Sequence, residues 1–279
     1  MIDIVYVRGF ALMKFLLLVL LVLYNNALIR LLDSALAVDR LTPYTWESDA
    51  FRSLKLGKWL ASQDTVDCEE LASWMTESDF DLTDWRGSRF SLKLSSEHPA
   101  QFRKLAAAYR MLFEDLRYFP VPLSRSLDVP DVTYEDTWLQ KRTYGGERGH
   151  EGCDLMGNKR PRGTYPVVSM TDGVVERVGW LEQGGWRIGI RSPSGVYFYY
   201  AHLSGYDREW QEGDPVRAGE LLGYMGDSGY GKLEGTTGNF EVHLHVGIYL
   251  KTDHYEELSV NPYWLLRYLE KSRLSYWYE

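Results

Sequence analysis

The stretch Glu241-Val242-His243-Leu244-His245-Val246-Gly247-Ile248-Tyr249 sets the strongest condition on the fold. Apolar and β-branched residues alternate with period two, which is the pattern of a strand with one buried face. Side chains at i and i+2 leave a strand on the same face, so both imidazoles point at one spot. Imidazole is the commonest metal ligand and titrates nearest neutral pH. The pair is therefore either half of a site or two polar residues on a solvated strand face, and the rest of the chain has to decide.

This strand is the last of a series. Short alternating runs occupy Pro166 to Met170, Gly173 to Trp180, Trp186 to Arg191, Val196 to Ala201 and Val242 to Leu250. Gly-Gly, Ser-Gly and Asp-Gly breaks separate them, the pattern of an antiparallel sheet domain. Pro262 to Leu269 reads as a short closing helix. The high aromatic content, with 20 Tyr and 10 Trp, suits β-structure and surfaces that grip extended polymers.

The chain before the sheet has a different texture. Asp67 can cap a helix whose first turn carries Glu69 and Glu70 and whose apolar side is Leu71, Trp74 and Met75. Pro99 occupies a first helical position, and Phe102, Leu105, Ala106, Tyr109, Leu112, Phe113 and Leu116 recur at three- and four-residue steps. That helix ends before Pro120 and Pro122 and reads as an accessory layer on the main domain. His98 is a helix-entry residue and receives no role. Pro120 to Pro130 has the prolines and serines of a linker.

At the N-terminus, Phe15 to Tyr24 is an unbroken apolar run that follows Arg8 and Lys14, and Ala35-Leu36-Ala37 has the small-x-small form of a cleavage site. The run is short against the roughly 20 residues that span a membrane. Extending it through Leu32 takes in Asn25, Asn26 and Arg30. It is either a signal peptide or a signal anchor across residues 15–32, and both readings place the remainder outside the cytoplasm. Met13 would also serve as a start.

The 279 residues fit one large or two modest domains. With a net charge of -8 and mixed signs, nucleic acid is not expected as a partner. Two cysteines, Cys68 and Cys153, are too few for a disulfide framework or a zinc–cysteine cluster, and leave one bridge open. There is no internal repeat.

The other half of the site lies in Arg148-Gly149-His150-Glu151-Gly152-Cys153-Asp154. It offers His150 and Asp154 in H-x-x-x-D spacing, with Gly149 and Gly152 leaving the backbone free to bend. His202 ends the strand Val196 to Ala201. Four of the six histidines thus sit at the ends or faces of expected strands. A catalytic zinc takes three protein ligands from imidazole and carboxylate and leaves a fourth position open.

His150-x-x-x-Asp154, Tyr200-Ala201-His202-Leu203 and His243-Leu244-His245, in that order, resemble the three signatures of the lysostaphin-type (LytM-like) zinc metallopeptidases. The segment Val216 to Gly226, preceding the strand with the H-x-H, fits as well. The resemblance covers roughly Tyr144 to Tyr249. It implies one zinc per chain on His150, Asp154 and His245. It also implies catalytic roles for His202 and His243, flanking a metal-bound water, taking its proton and stabilising the oxyanion. The family often has Gly-Pro directly before the H-x-H; here Phe240-Glu241-Val242 stands there, which bears on substrate preference and not on the metal.

Other nearby residues have plainer readings. Cys153 and Glu151 face away from their ligand neighbours on an extended chain. His254 is solvated in a turn. Tyr197, Tyr199 and Tyr200 pack the sheet, with Tyr199 or Tyr200 able to reach the groove. Arg148 and Tyr144-Gly145-Gly146 either bind substrate carboxylates or shape a turn.

The expected fold class is α+β overall: a C-terminal all-β antiparallel-sheet LytM-like domain preceded by a small helical region and an N-terminal hydrophobic segment. The expected divisions are 1–37 leader, 38–122 helical accessory region, 123–140 linker, 141–270 LytM-like domain and 271–279 tail. The function implied is an exported zinc endopeptidase acting on peptidoglycan stem peptides or cross-bridges. The alternatives are a catalytically silent LytM-like scaffold, and a site kept closed by the N-terminal region until its removal.

Overall fold

The computed structural model describes residues 2–39, 41–85 and 99–279, with backbone only at 2–12, 30 and 33–39. His98 lies outside the described residues. The N-terminal segment is one helix, α1 (Ile2–Asp39), and the described side chains from Phe15 to Tyr24 are exposed. Among the described residues, no helix is long and apolar enough to cross a membrane.

A helical layer follows. Helix α2 (Asp49–Arg52) is short. Helix α3 (Cys68–Glu77) starts at Asp67, whose carboxylate accepts from the backbone N–H of Glu69 and Glu70 at 2.9 and 3.0 Å, satisfying two of the amides a helix start leaves free. Helix α4 (Pro99–Glu114) buries the stripe Phe102, Leu105, Ala106, Tyr109, Leu112 and Phe113. The helical expectations at Asp67 and Pro99 are met.

Thirteen strands are described: β1 (Leu123–Ser124), β2 (Lys141–Arg142), β3 (Arg148–Gly149), β4 (Cys153–Met156), β5 (Pro166–Val168), β6 (Gly173–Leu181), β7 (Gly185–Arg191), β8 (Tyr197–Tyr206), β9 (Pro215–Val216), β10 (Leu221–Met225), β11 (His243–Leu250), β12 (Leu258–Val260) and β13 (Ser275–Tyr276). The main sheet runs β12-β11-β8-β7-β6-β9, with β4 on β11 and β10 bridging β5 to β8. Its pairings are antiparallel, as the glycine-broken runs require. The closing helix α5 (Tyr263–Leu269) follows β12.

One continuous buried cluster joins the two layers, with Phe51, Tyr109 and Leu112 from the helices and Phe198, Ile248 and Leu266 from the sheet side. Each such side chain contributes about 1.5–3 kcal/mol when taken from water, so this core is the main stabilising term. Residues 123–140 lie on the same body, with Val129 and Val132 buried and Thr133 bridged to Met156. Cys68 and Cys153 are both buried free thiols.

Strand β8 continues past the position where it was expected to stop. His202 sits inside it with φ of 63°, a left-handed conformation that bends the strand without ending it. The β7–β8 register shifts at the same place, between Trp186 and Ile188.

Candidate active site

The sheet register assembles the site. β11 lies between β4 and β8, and Asp154, His245 and Ala201 fall in one row across the three strands. Burial alternates along both β4 and β11: Cys153, Leu155, Leu244 and Val246 face the core, and Asp154, His243 and His245 face the other side. Two directly opposed residues of an antiparallel pair have Cβ atoms about 5 Å apart, so Asp154 and His245 meet without any loop having to carry them. His150 joins from the end of β3, held by backbone bonds from its N–H to Gln140 and from Leu139 to its carbonyl, both 2.9 Å.

Three donor atoms converge. His150 Nε2, His245 Nδ1 and Asp154 Oδ1 stand 3.0 Å from one another on all three sides. Tetrahedral ligands at zinc bond lengths of about 2.0–2.1 Å stand about 3.3 Å apart, within a few tenths of an ångström of these separations. Two imidazoles and a carboxylate, buried on one side and open to a cleft on the other, are a donor set that could hold a metal ion.

Neighbours fix each of the three. Thr137 Oγ1 lies 2.9 Å from His150 Nδ1, which leaves Nε2 for the centre. Arg142 donates to Asp154 Oδ2 at 2.6 Å, which leaves Oδ1 for the centre. Burial pushes the Asp154 carboxyl up, but its hydrogen bonds with His150 and His245 and the nearby histidine charges outweigh that. The group is held far below the usual carboxylate range. His245 is backed by Gly152. A Cβ there would come within 2.4 Å of His245 Cε1 and 2.5 Å of Nε2.

The remaining two histidines stand beside the triangle. His202 and His243 have ring centroids 4.7 Å apart, and Phe240 packs on both, at 4.6 and 5.0 Å. His202 Nδ1 bonds the Ser228 carbonyl at 2.7 Å, and His243 Nδ1 bonds the Glu241 carbonyl at 2.7 Å. A carbonyl only accepts, so each Nδ1 carries the proton and each neutral ring keeps its Nε2 lone pair free. His243 Nε2 lies 3.8 Å from Asp154 Oδ1, beside the triangle. Burial, then the like charges of His243 and His245, lowers the His202 pKa well below its ordinary value.

All five residues expected at the site line one cleft of about 580 Å³. Tyr199 reaches it, whereas Tyr200 is core, its hydroxyl accepting from Met170 N at 2.8 Å. At one end, Tyr144 stacks on Tyr230 with centroids 4.4 Å apart. The Glu151 carboxylate turns to Arg52 at 3.3 Å, and His254, read as solvated, is half exposed and bonds Glu47 at 2.8 Å. Thr137, Arg142, Gly152 and the Ser228 carbonyl were not singled out by sequence. Of these only Gly152 left a trace, as the glycine within the H-x-x-x-D motif.

A model described as peptidase family M23 matches residues 148–262. The chain is 40% identical over 172 residues to the L-Ala–D-Glu endopeptidase of Bacillus subtilis (strain 168), a match covering 62% of this chain and 49% of that protein. It is 37% identical over 105 residues to lysostaphin of Staphylococcus staphylolyticus, covering 33% of this chain and 21% of the other. The chain thus spans about half the length of the first of these relatives and less of the second. A solved protein of Ruminococcus gnavus ATCC 29149, provisionally named a glycyl-glycine endopeptidase, lytM, is 44% identical. It superposes with a TM-score of 0.76, covering 87% of this chain and 99% of that one.

Proposed function

The chain belongs to peptidase family M23, the lysostaphin-type (LytM-like) peptidases, and on that premise we propose that it is a zinc endopeptidase hydrolysing peptide bonds of peptidoglycan outside the cytoplasm. The observation that carries this reading is the closed triangle of His150 Nε2, Asp154 Oδ1 and His245 Nδ1 with two further imidazoles beside it. A scaffold has no need of that arrangement. Five polar side chains turned into one cleft stabilise the fold less than apolar residues would.

His150, Asp154 and His245 would hold the ion, which supplies Lewis acidity: it acidifies water to near-neutral pKa and polarises a scissile carbonyl. The protein's own groups do the rest. His243, open to the cleft and beside Asp154, takes a proton at Nε2 and then donates it as a hydrogen bond toward developing negative charge on the substrate. His202, kept neutral by burial, accepts at Nε2 and orients the attacking water. Thr137 and Arg142 hold the ligand atoms in place.

Export rests on the leader. The apolar side chains of Phe15 to Tyr24 stand out from α1 uncovered by protein, which supports a lipid or translocation setting for this segment.

The test is digestion of purified peptidoglycan with and without chelator, with mass analysis of new termini and metal analysis of the protein. His245→Ala is expected to lose zinc and activity. His243→Ala is expected to keep zinc and lose turnover by about a hundredfold or more. Zinc-free protein and intact peptidoglycan would instead make the chain a silent scaffold.

A further inference from the structure

Four arginines line the cleft that holds the triangle. Two are neutralised: Arg142 by Asp154 at 2.6 Å, and Arg177 by Glu212 at 3.2 Å. Among the described residues Arg148 and Arg187 have no ion pair, and each has a fully buried guanidinium nitrogen without a hydrogen-bond partner there, Nε in Arg148 and Nη1 in Arg187. A buried cation donor left unbonded costs stability, of a size that a protein with acidic residues in excess has ample means to avoid. On the wall of an open cleft, such a donor is free to bond water or an incoming group.

Arg187 is placed for such a partner. It lies on β7 at the register shift opposite β8, where the row of Asp154, His245 and Ala201 continues across the sheet. Two strand spacings separate β7 from β11, about 10 Å, a length that an extended peptide covers in about three residues. The guanidinium is close enough to act on the phenols of Tyr197 and Tyr199, which line the same cleft. Glu257 is the carboxylate that also lines this part of the cleft, and no ion pair joins it to Arg187.

We propose that Arg187 is a specificity-determining residue that binds a free carboxylate of the substrate, within about three residues of the scissile bond, so that the enzyme selects an acidic stem peptide over a neutral glycine bridge. This deepens the hydrolase reading and rests on it. The relatives' names cover both kinds of bond, so the choice between them has to be made by the chemistry of the cleft. A D-glutamyl residue keeps one free carboxylate whichever of its carboxyls is in the peptide bond, and a glycyl-glycine bond offers none. A planar guanidinium with free N–H groups suits a carboxylate, which it can hold with two parallel bonds. Arg148 is two residues from His150; Arg187 can be replaced without touching a metal ligand.

The experiment compares two synthetic peptides, one containing L-Ala–D-Glu and one with that free carboxylate converted to a carboxamide. Cleavage (kcat/KM) and equilibrium binding are measured for wild type, Arg187→Gln and Arg187→Lys. The wild type is expected to favour the acidic peptide by about 10- to 100-fold. Arg187→Gln should lose that preference while keeping its rate on the carboxamide, and Arg187→Lys should keep part of it. The melting temperature of Arg187→Gln should stay level or rise, because a buried donor without a partner, Nη1, is removed. Equal losses on both peptides, or a preference unchanged in Arg187→Gln, would overturn the assignment while leaving hydrolysis intact. Preferential binding of the acidic peptide without cleavage would sink the hydrolase reading and leave Arg187 as a carboxylate site.

Discussion

Whether His245 can serve as a ligand depends on an absent side chain. The backbone of Gly152 passes so close behind the imidazole that a methyl group would overlap Cε1 and Nε2 and also approach the Val246 carbonyl at 2.7 Å. The carbonyl cannot move, so the ring would. Gly152→Ala is therefore expected to weaken zinc binding by about 10- to 100-fold, the range typical of lost ligand support, with the circular dichroism of the sheet retained. Chelator competition measures it, and unchanged affinity would show that the ring has another way to lie. At His202 the burial that keeps the ring neutral has a consequence for stability. The folded-state pKa lies below the ordinary value of about 6.5, so as pH falls the unfolded chain takes up this proton first. The favourable contribution is present above about pH 6.5 and is lost as pH drops below it toward the folded pKa. In metal-free protein, His202→Gln should show a shallower fall in melting temperature between pH 7 and pH 5 than wild type; parallel curves would mean that the group titrates alike in both states.

At the scale of elements, what could be read in advance depended on whether the signal was local. The strands over residues 173–191 and 243–250 declare themselves because period-two burial and glycine breaks are written in neighbouring residues. The same holds for α3, whose cap at Asp67 and acidic first turn are adjacent in sequence. The donors of the triangle were legible because few residue types can hold a metal ion. Their supports were not: threonine and arginine are common everywhere, and Thr137 and Arg142 reach His150 and Asp154 only through the fold. Thr137 even lies in the stretch 123–140, whose composition reads as a linker. The bend at His202 was illegible for another reason. Periodicity reports alternation over several residues, and one residue at φ 63° interrupts it without changing the residue types around it. That bend lets β8 run on toward β10 while still presenting an imidazole to the cleft.

For the whole molecule, the question is whether the sheet can stand without the helical layer. The two share one buried cluster, and backbone bonds stitch them together. Arg117 and Tyr118 donate to the Met170 carbonyl at 2.9 and 3.3 Å, and Val168 donates to Pro120 at 2.8 Å. On the far edge, Asn261 donates to the Arg52 carbonyl at 2.8 Å, and the Arg52 side chain reaches Ser259 O at 2.9 Å and Oγ at 2.8 Å. Lys104 pairs with Asp253, and Phe113 packs edge-on against Tyr268 of α5. Removing the helices exposes apolar side chains worth about 1.5–3 kcal/mol each, so four or five of them equal the 5–15 kcal/mol by which a typical domain is stable. A chain of residues 121–279 is therefore expected to lack a cooperative thermal transition and to bind zinc weakly. A chain of residues 41–279 is expected to melt within a few degrees of the full chain. α1 stands apart from that argument, since its described apolar side chains are exposed rather than packed in the core. Calorimetry on the two truncations decides it: a cooperative transition of 121–279 at the temperature of 41–279 would make the helical layer dispensable, and its buried stripe would then need another explanation.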